Sequence, residues 1–225
     1  MIPAAKPSRK GDHLRWGESM REDIEGGQAR LIEAALFCYR RFGPPHTRVV
    51  DVALQAHVTR VTFYRYFRNS DDLLNATLKR ELTRLWQNTV EQISALTPAH
   101  DVPIEAVLAF LRQIRQPEHQ FLAHIDTLPA LGSCMLDAGY LNQNAPVIAP
   151  LLRATLPAGG LITLFEMMNR AAHSYLRSPS LMFSTDEQLR DLLAYNIAPF
   201  TTWLLAVPDA VPALQPAAAQ MTLHA

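Results

Sequence analysis

The chain has 225 residues, 48% of them apolar, which is enough to bury one ordinary domain or two small ones sharing a core. Its formal net charge is zero, which taken alone argues against a polyanion partner. The average hides a split: from Arg30 to Asn69 stand Arg30, Arg40, Arg41, Arg48, Arg60, Arg65 and Arg68 against only Glu33 and Asp51, whereas from Glu81 onward acidic residues outnumber basic ones twelve to seven. A basic front on an acidic body predicts one face for a polyanion and a remainder with another task.

Taken in chain order, residues 1 to 25 are polar, with Pro3, Pro7, Gly11 and Gly17, and read as a flexible arm. Lys6, Arg9 and Lys10 are followed by polar sequence, so no signal peptide is expected. From Gln28 apolar positions recur at helical spacing through Leu31, Ala34, Ala35, Cys38, Tyr39 and Phe42, until Gly43-Pro44-Pro45 stops the pattern. Thr47 is placed to cap a second helix, Arg48 to Gln55, and Thr59 a third that carries Phe63, Tyr64, Tyr66 and Phe67. Ser70, with Asp71 and Asp72 behind it, opens a long fourth helix through Leu85 and Trp86 towards Leu96.

After Thr97-Pro98 the pattern stays helical, punctuated by prolines that suit first turns and loops. Two stripes stand out: Leu161, Leu164, Phe165, Met168, Ala172 and Tyr175 within 161–177, then Leu189, Leu192, Leu193, Ile197, Phe200, Trp203 and Leu204 within 186–207. From Pro208 the chain is rich in Pro and Ala and reads as a disordered tail. With no period-2 strand and no stretch of membrane-spanning length, the expectation is an all-α, soluble, cytoplasmic protein.

The informative stretch runs from Thr47 to Leu74. Ala53 supplies the small contact that two crossed helices need, Gln55-Ala56-His57-Val58 a tight turn, and Phe63 and Phe67 an apolar anchor four residues apart. The opposite face of that last helix then offers Arg60, Val61, Thr62, Arg65 and Tyr66 to solvent. This is a helix-turn-helix, whose second helix fits a major groove where Arg and Thr meet base edges and apolar groups meet thymine methyls.

In these residues the chain resembles the tetracycline-repressor (TetR) family of bacterial regulators. The features are Ala34-Ala35 and Phe42-Gly43 in and after the first helix, then Thr47, Val52-Ala53, Val58-Thr59, Thr62-Phe63-Tyr64, Phe67 and Asp72-Leu73-Leu74. The resemblance implies phosphate contacts from Thr47, Thr59 and Tyr64, with Tyr66 where the family often has a phosphate-contacting His. It places Arg48, Arg60, Val61 and Thr62 at base edges. Two positions depart from the family pattern. His57 stands at a turn position usually held by Gly, and Ser70 stands where the family tends to have Lys, which leaves a hydroxyl and helix-end amides for phosphate and predicts a shallower salt dependence.

The fold so implied is a three-helix DNA-binding head, residues 26–70, on a larger helical body of ligand-binding and dimerisation type, residues 71–207, with about nine helices in all. A palindromic site needs two copies, and the helices at 161–177 and 186–207 are the expected dimer surface, forming a four-helix bundle. A small-molecule pocket in the body would draw on Phe121, Tyr140, Phe165 and Met168, with Asn169 and His173 orienting a polar group.

Other chemistry is poorly supported. His119, His124 and Asp126 lack ligand spacing for a metal, and Asp126, His173 and Ser174 come without a nucleophile elbow, so neither metal, cofactor nor enzyme activity is expected. Cys38 and Cys134 read as packing thiols. The function expected is a regulator, a repressor released from a palindromic operator by a small ligand. The alternative left open is a ligand- or partner-binding protein whose head has decayed at His57 and Ser70.

Overall fold

A computed structural model describes residues 12–93, 97–124, 126–152, 156–178 and 185–207, with side chains from Gly26 onward. Among the described residues there are ten α-helices and three short 3-10 segments, and no strand. The helices are α1 (Asp12–Phe42), α2 (Val49–Gln55), α3 (Arg60–Tyr66), α4 (Ser70–Gln92) and α5 (Val102–Ile114), then α6 (Leu128–Met135), α7 (Ala138–Asn144), α8 (Ala149–Leu152), α9 (Ala158–Arg177) and α10 (Asp186–Ala206). The expected all-helical architecture holds. The chain divides into two compact units, Met1–Leu74 and Asn75–Ala225, and the division falls inside α4.

In the first unit α1 begins well before Gln28, at Asp12. No proline stands between Pro7 and Pro44, and a helical glycine costs only about 1 kcal/mol, so Gly26-Gly27 is too weak a breaker to stop a helix anchored by its later turns. Residues 1–11, with Lys6, Arg9 and Lys10 of the expected arm, lie outside the described residues, as does the tail from Pro208. The anchoring face of α1 is the periodic one: Leu31, Ala35, Leu36, Cys38 and Tyr39 are buried. They meet α2 and α3, whose Val52, Ala53 and Phe63 are buried as well.

In the second unit α5 is predominantly apolar, with ten of its residues buried, and lies against both α9 and α10. Trp86 of α4 stacks on Phe110 of α5 at 4.5 Å and meets Phe165 of α9 at 5.1 Å, and all three are fully buried. A Cβ at Gly160 of α9 would stand 3.2 Å from Leu204 Cδ1, so the missing side chain is what lets α10 approach. Three ion pairs brace α5 and its C-cap to α10: Glu105 accepts two bonds from Arg190, and Asp186 receives Arg112 and Arg115. Pro103, Pro117, Pro129 and Pro146 occupy first turns, as their chemistry requires, but Pro199 sits inside α10.

Candidate nucleic-acid interface

The crossing of α2 and α3 is built on small and aromatic residues. Ala53, almost completely buried, lets the helices close, while Phe63 and Phe67 fill the space beneath α3 with ring centroids 5.9 Å apart. Between the helices His57 takes φ 56, the left-handed region in which His is one of the better-tolerated residues after Gly, Asn and Asp. The turn is intact around it, with the His57 amide bonded to the Leu54 carbonyl at 3.1 Å and Val58 to Ala53 at 2.9 Å.

The predicted cap of α3 is in place. Thr59 Oγ1 accepts the Thr62 amide at 3.1 Å, and the Thr59 and Thr62 hydroxyls are 3.0 Å apart. The predicted cap of α2 is not. Thr47 turns back to donate its hydroxyl to the Gly43 carbonyl at 2.8 Å, and Arg48 takes the N-cap position instead. Its amide and guanidinium all go to Asp51: the backbone N at 3.0 Å, Nε at 3.1 Å and Nη2 at 3.1 Å. The Arg48 guanidinium in turn holds the Asp51 carboxyl below its usual range. Ser70 begins α4, yet the capping oxygen belongs to Asn69, which accepts the Asp72 amide at 2.8 Å.

The outer side of α3 presents Arg60, Val61, Tyr64 and Arg65 to solvent, and Val61 is 75% exposed. Thr62 is half-buried. Tyr64 is half-exposed and braced edge-on against Phe63, with ring centroids 5.3 Å apart. Tyr66 does something different from its neighbours: its ring lies in the notch left by the absent side chain of Gly27 on α1, where even a Cβ would overlap it. Of the residues expected at DNA, then, Thr59, Arg60, Val61, Thr62 and Tyr64 gather along α3, Thr47 and Arg48 stand at the entry to α2 and Ser70 at the start of α4. Asp51, Asn69 and Gly27 escaped the sequence reading. The spacings Arg48-x-x-Asp51 and Asn69-x-x-Asp72 were the available signal for two of them.

In the body, Phe121, Tyr140, Phe165, Met168 and Asn169 are buried and His173 half-buried. The polar groups expected to orient a ligand have protein partners. Asn169 accepts from Trp86 Nε1 at 3.3 Å and donates to the Phe165 carbonyl at 2.8 Å, and His173 Nε2 donates to the Leu128 carbonyl at 3.1 Å. Among the described residues the buried Tyr140 hydroxyl and Thr127 Oγ1 find no hydrogen-bond partner. His119 Nδ1 stands 3.0 Å from Glu81 Oε1 without hydrogen-bond geometry. That position separates His119 from His124, which lies exposed beside Asp126 at 3.4 Å. Burial pushes the Cys134 thiol up to about 11, as suits a packing residue.

Comparison with known proteins follows the same outline. Residues 31–77 match the profile described as "Bacterial regulatory proteins, tetR family". A segment of 82 residues is 33% identical to the HTH-type transcriptional regulator BetI of Burkholderia mallei (strain NCTC 10229), covering 36% of this chain and 42% of that relative's length. The HTH-type transcriptional regulator HbdR of Aromatoleum sp. (strain CIB) is 25% identical over 189 residues, 80% of this chain and 82% of HbdR. Among solved structures, the TetR-family repressor QsdR of R. erythropolis superposes with a TM-score of 0.57 at 17% identity, over 77% of this chain and 95% of its own. AlkX, a TetR-family repressor of Dietzia sp. strain DQ12-45-1b, gives 0.56 at 19% identity, over 78% and 95%.

Proposed function

From the match of residues 31–77 to the tetR family profile, we propose that the chain is a sequence-specific DNA-binding transcription regulator of that family, acting as a repressor that leaves a palindromic operator when a small molecule binds its body. The observation that carries the reading is the outer side of α3: Arg60, Val61, Tyr64 and Arg65 stand exposed above buried Phe63 and Phe67. A helix so anchored enters a major groove, with Arg60, Val61 and Thr62 at base edges and Thr47, Thr59, Tyr64, Tyr66 and Ser70 toward the backbone. The turn held by His57 argues against a decayed head.

A palindromic site calls for a second copy, and α9 and α10 are the faces proposed to meet it. Leu189, Leu193, Ile197 and Leu204 of α10 are spent on the protomer's own core. A second apolar surface remains on the same helix, a shallow groove along Ala194, Tyr195, Ala198, Pro199, Thr202 and Trp203, with Tyr195 85% exposed. The ligand would act by favouring one of two states of the dimer with lower operator affinity. The aromatic body around Tyr140, Phe165 and Met168, with the unpartnered Tyr140 hydroxyl among them, supports an apolar ligand with one hydrogen-bonding group.

Selection of bound fragments from genomic DNA, followed by titration of the winners, tests the proposal. A two-fold symmetric sequence should emerge, and the double variant Arg60→Ala, Tyr64→Ala should lose it while remaining a folded dimer by light scattering. A folded dimer that enriches no sequence would overturn the reading.

A further inference from the structure

Arg48 is an unusual residue for a helix N-cap, a position that favours Ser, Thr, Asp and Asn because their short side chains accept the first amides. Here the helix start is secured from the other side, by Asp51, which accepts the Arg48 amide at 3.0 Å. That backbone bond fixes the carboxylate in place, and the guanidinium then closes on it as a fork, Nε to Oδ2 and Nη2 to Oδ1, each at 3.1 Å. The Arg48 side chain is 77% exposed and Asp51 29%, so the fork is not enforced by burial; it is a choice of partner made in water. Two oxygens of a phosphate can accept a guanidinium fork as a carboxylate's two oxygens do, and in this head the carboxylate is the partner already in place.

We propose that Asp51 withholds Arg48 from DNA, so that the cation at the entry to α2 adds nothing to the affinity for arbitrary sequence and discrimination rests on α3. The inference rests on the regulator reading above and concerns the same face of the molecule. Non-specific affinity comes almost entirely from cations that displace counterions from phosphates, at a slope of about 0.9 in log K against log salt for each. A guanidinium already neutralised by its own chain displaces none. The pair lowers the general attraction of the head for DNA and leaves the outward residues of α3 untouched.

The test is a salt titration of the full chain on a labelled duplex of arbitrary sequence, between 50 and 200 mM salt. Arg48→Gln should leave the slope unchanged, because the arginine it removes is already spent. Asp51→Asn keeps an oxygen for the Arg48 amide but frees the guanidinium. Its slope should steepen by about 0.9, which deepens the loss of affinity across that salt range roughly 3.5-fold. The double variant should return to the wild-type slope, and Asp51→Glu, which restores a carboxylate, should remain near it. On a selected operator, Asp51→Asn should narrow the ratio of specific to non-specific affinity. A shallower slope for Arg48→Gln alone would overturn the proposal, by showing that Arg48 already meets phosphate in the wild type. An unchanged slope for Asp51→Asn would overturn it equally, and because Arg48→Gln spares Asp51 the decision stands even if Asp51→Asn fails to fold. A wild-type chain that binds no duplex at any salt would overturn the regulator reading as well, so the two failures are distinguishable.

Discussion

Replacing Gly132 by alanine sets two effects of opposite sign against each other, and their balance can be worked out from the geometry. In an exposed helix the change would stabilise by about 1 kcal/mol, since alanine restricts the unfolded chain and glycine does not. Gly132 is buried in α6, however, and a Cβ there would stand 2.6 Å from both Cε1 and Nε2 of His173. Ordinary contact begins near 3.4 Å, so the imidazole must retreat by about 0.8 Å, away from the Leu128 carbonyl that it holds at 3.1 Å. Loss of that hydrogen bond costs about 0.5–1.5 kcal/mol. Overpacking a filled site adds about 1–3 kcal/mol. Against the gain in propensity, the net expectation is a loss of about 0.5–3.5 kcal/mol, or roughly 1–14 °C in melting temperature for a chain of this size. The assay is a thermal and urea unfolding series on four proteins: wild type, Gly132→Ala, His173→Ala and the double variant. With the ring gone the methyl has room, so Gly132→Ala should turn stabilising by about 1 kcal/mol in the His173→Ala background. Stabilisation by Gly132→Ala in the wild-type background, equal to that in the His173→Ala background, would refute the reasoning.

Three further expectations follow from single contacts. Asn169→Leu leaves the fully buried Trp86 indole N–H without its acceptor and should cost about 1–3 kcal/mol in chemical denaturation followed by Trp fluorescence; no loss would mean that the indole is satisfied elsewhere. His57→Gly relieves a left-handed residue but loosens the unfolded chain, so its effect should stay within about 1 kcal/mol, whereas His57→Val, β-branched at positive φ, should destabilise by about 2 kcal/mol or more; equal midpoints for the two would contradict the conformation. Arg112 and then Arg115 outweigh burial and hold the Asp186 carboxyl below its ordinary value, so its contribution is complete above the unfolded-state pKa, about 4, and is lost as pH falls through the folded value. Asp186→Asn should therefore flatten the acid limb of the stability curve, and an unaltered limb would show that the pair contributes nothing.

The sequence discloses the head more fully than the body, for a physical reason. In the stretch from Thr47 to Leu74 the constraints are local: a small residue at the crossing, a turn residue able to take positive φ, a hydroxyl before α3 and two phenylalanines beneath it. Each leaves its mark on a residue type at a fixed offset. The partners of Thr47 and Arg48 were misjudged because two adjacent polar residues competed for one cap, and the winner was decided by Asp51, three positions on. The seat of Tyr66 on Gly27 joins two helices distant in sequence, and no periodicity encodes it. In the body, the two apolar stripes were legible as helices. Their division between the protomer's own core and its surface was not, because Leu193 and Tyr195 differ in neighbours and hardly in character. Asn169 and His173 stand four residues apart on α9, yet their partners Trp86 and Leu128 lie on α4 and α6. Pro199 escaped notice inside a stripe that continues past it.

The empty space at Gly27 has a consequence for how the proposed grip on DNA could change. The tyrosine ring that fills it belongs to the last turn of α3, so the pitch of the reading helix is registered against bare backbone on α1. Any side chain at position 27 must evict the Tyr66 ring, while Arg60, Val61 and Thr62 on the outer side of α3 are left as they are. Position 27 is thus a tuning point separate from the lettering of the recognition surface. Under the proposed function, substitution there acts on how α3 is seated and leaves the residues on its outer side in place.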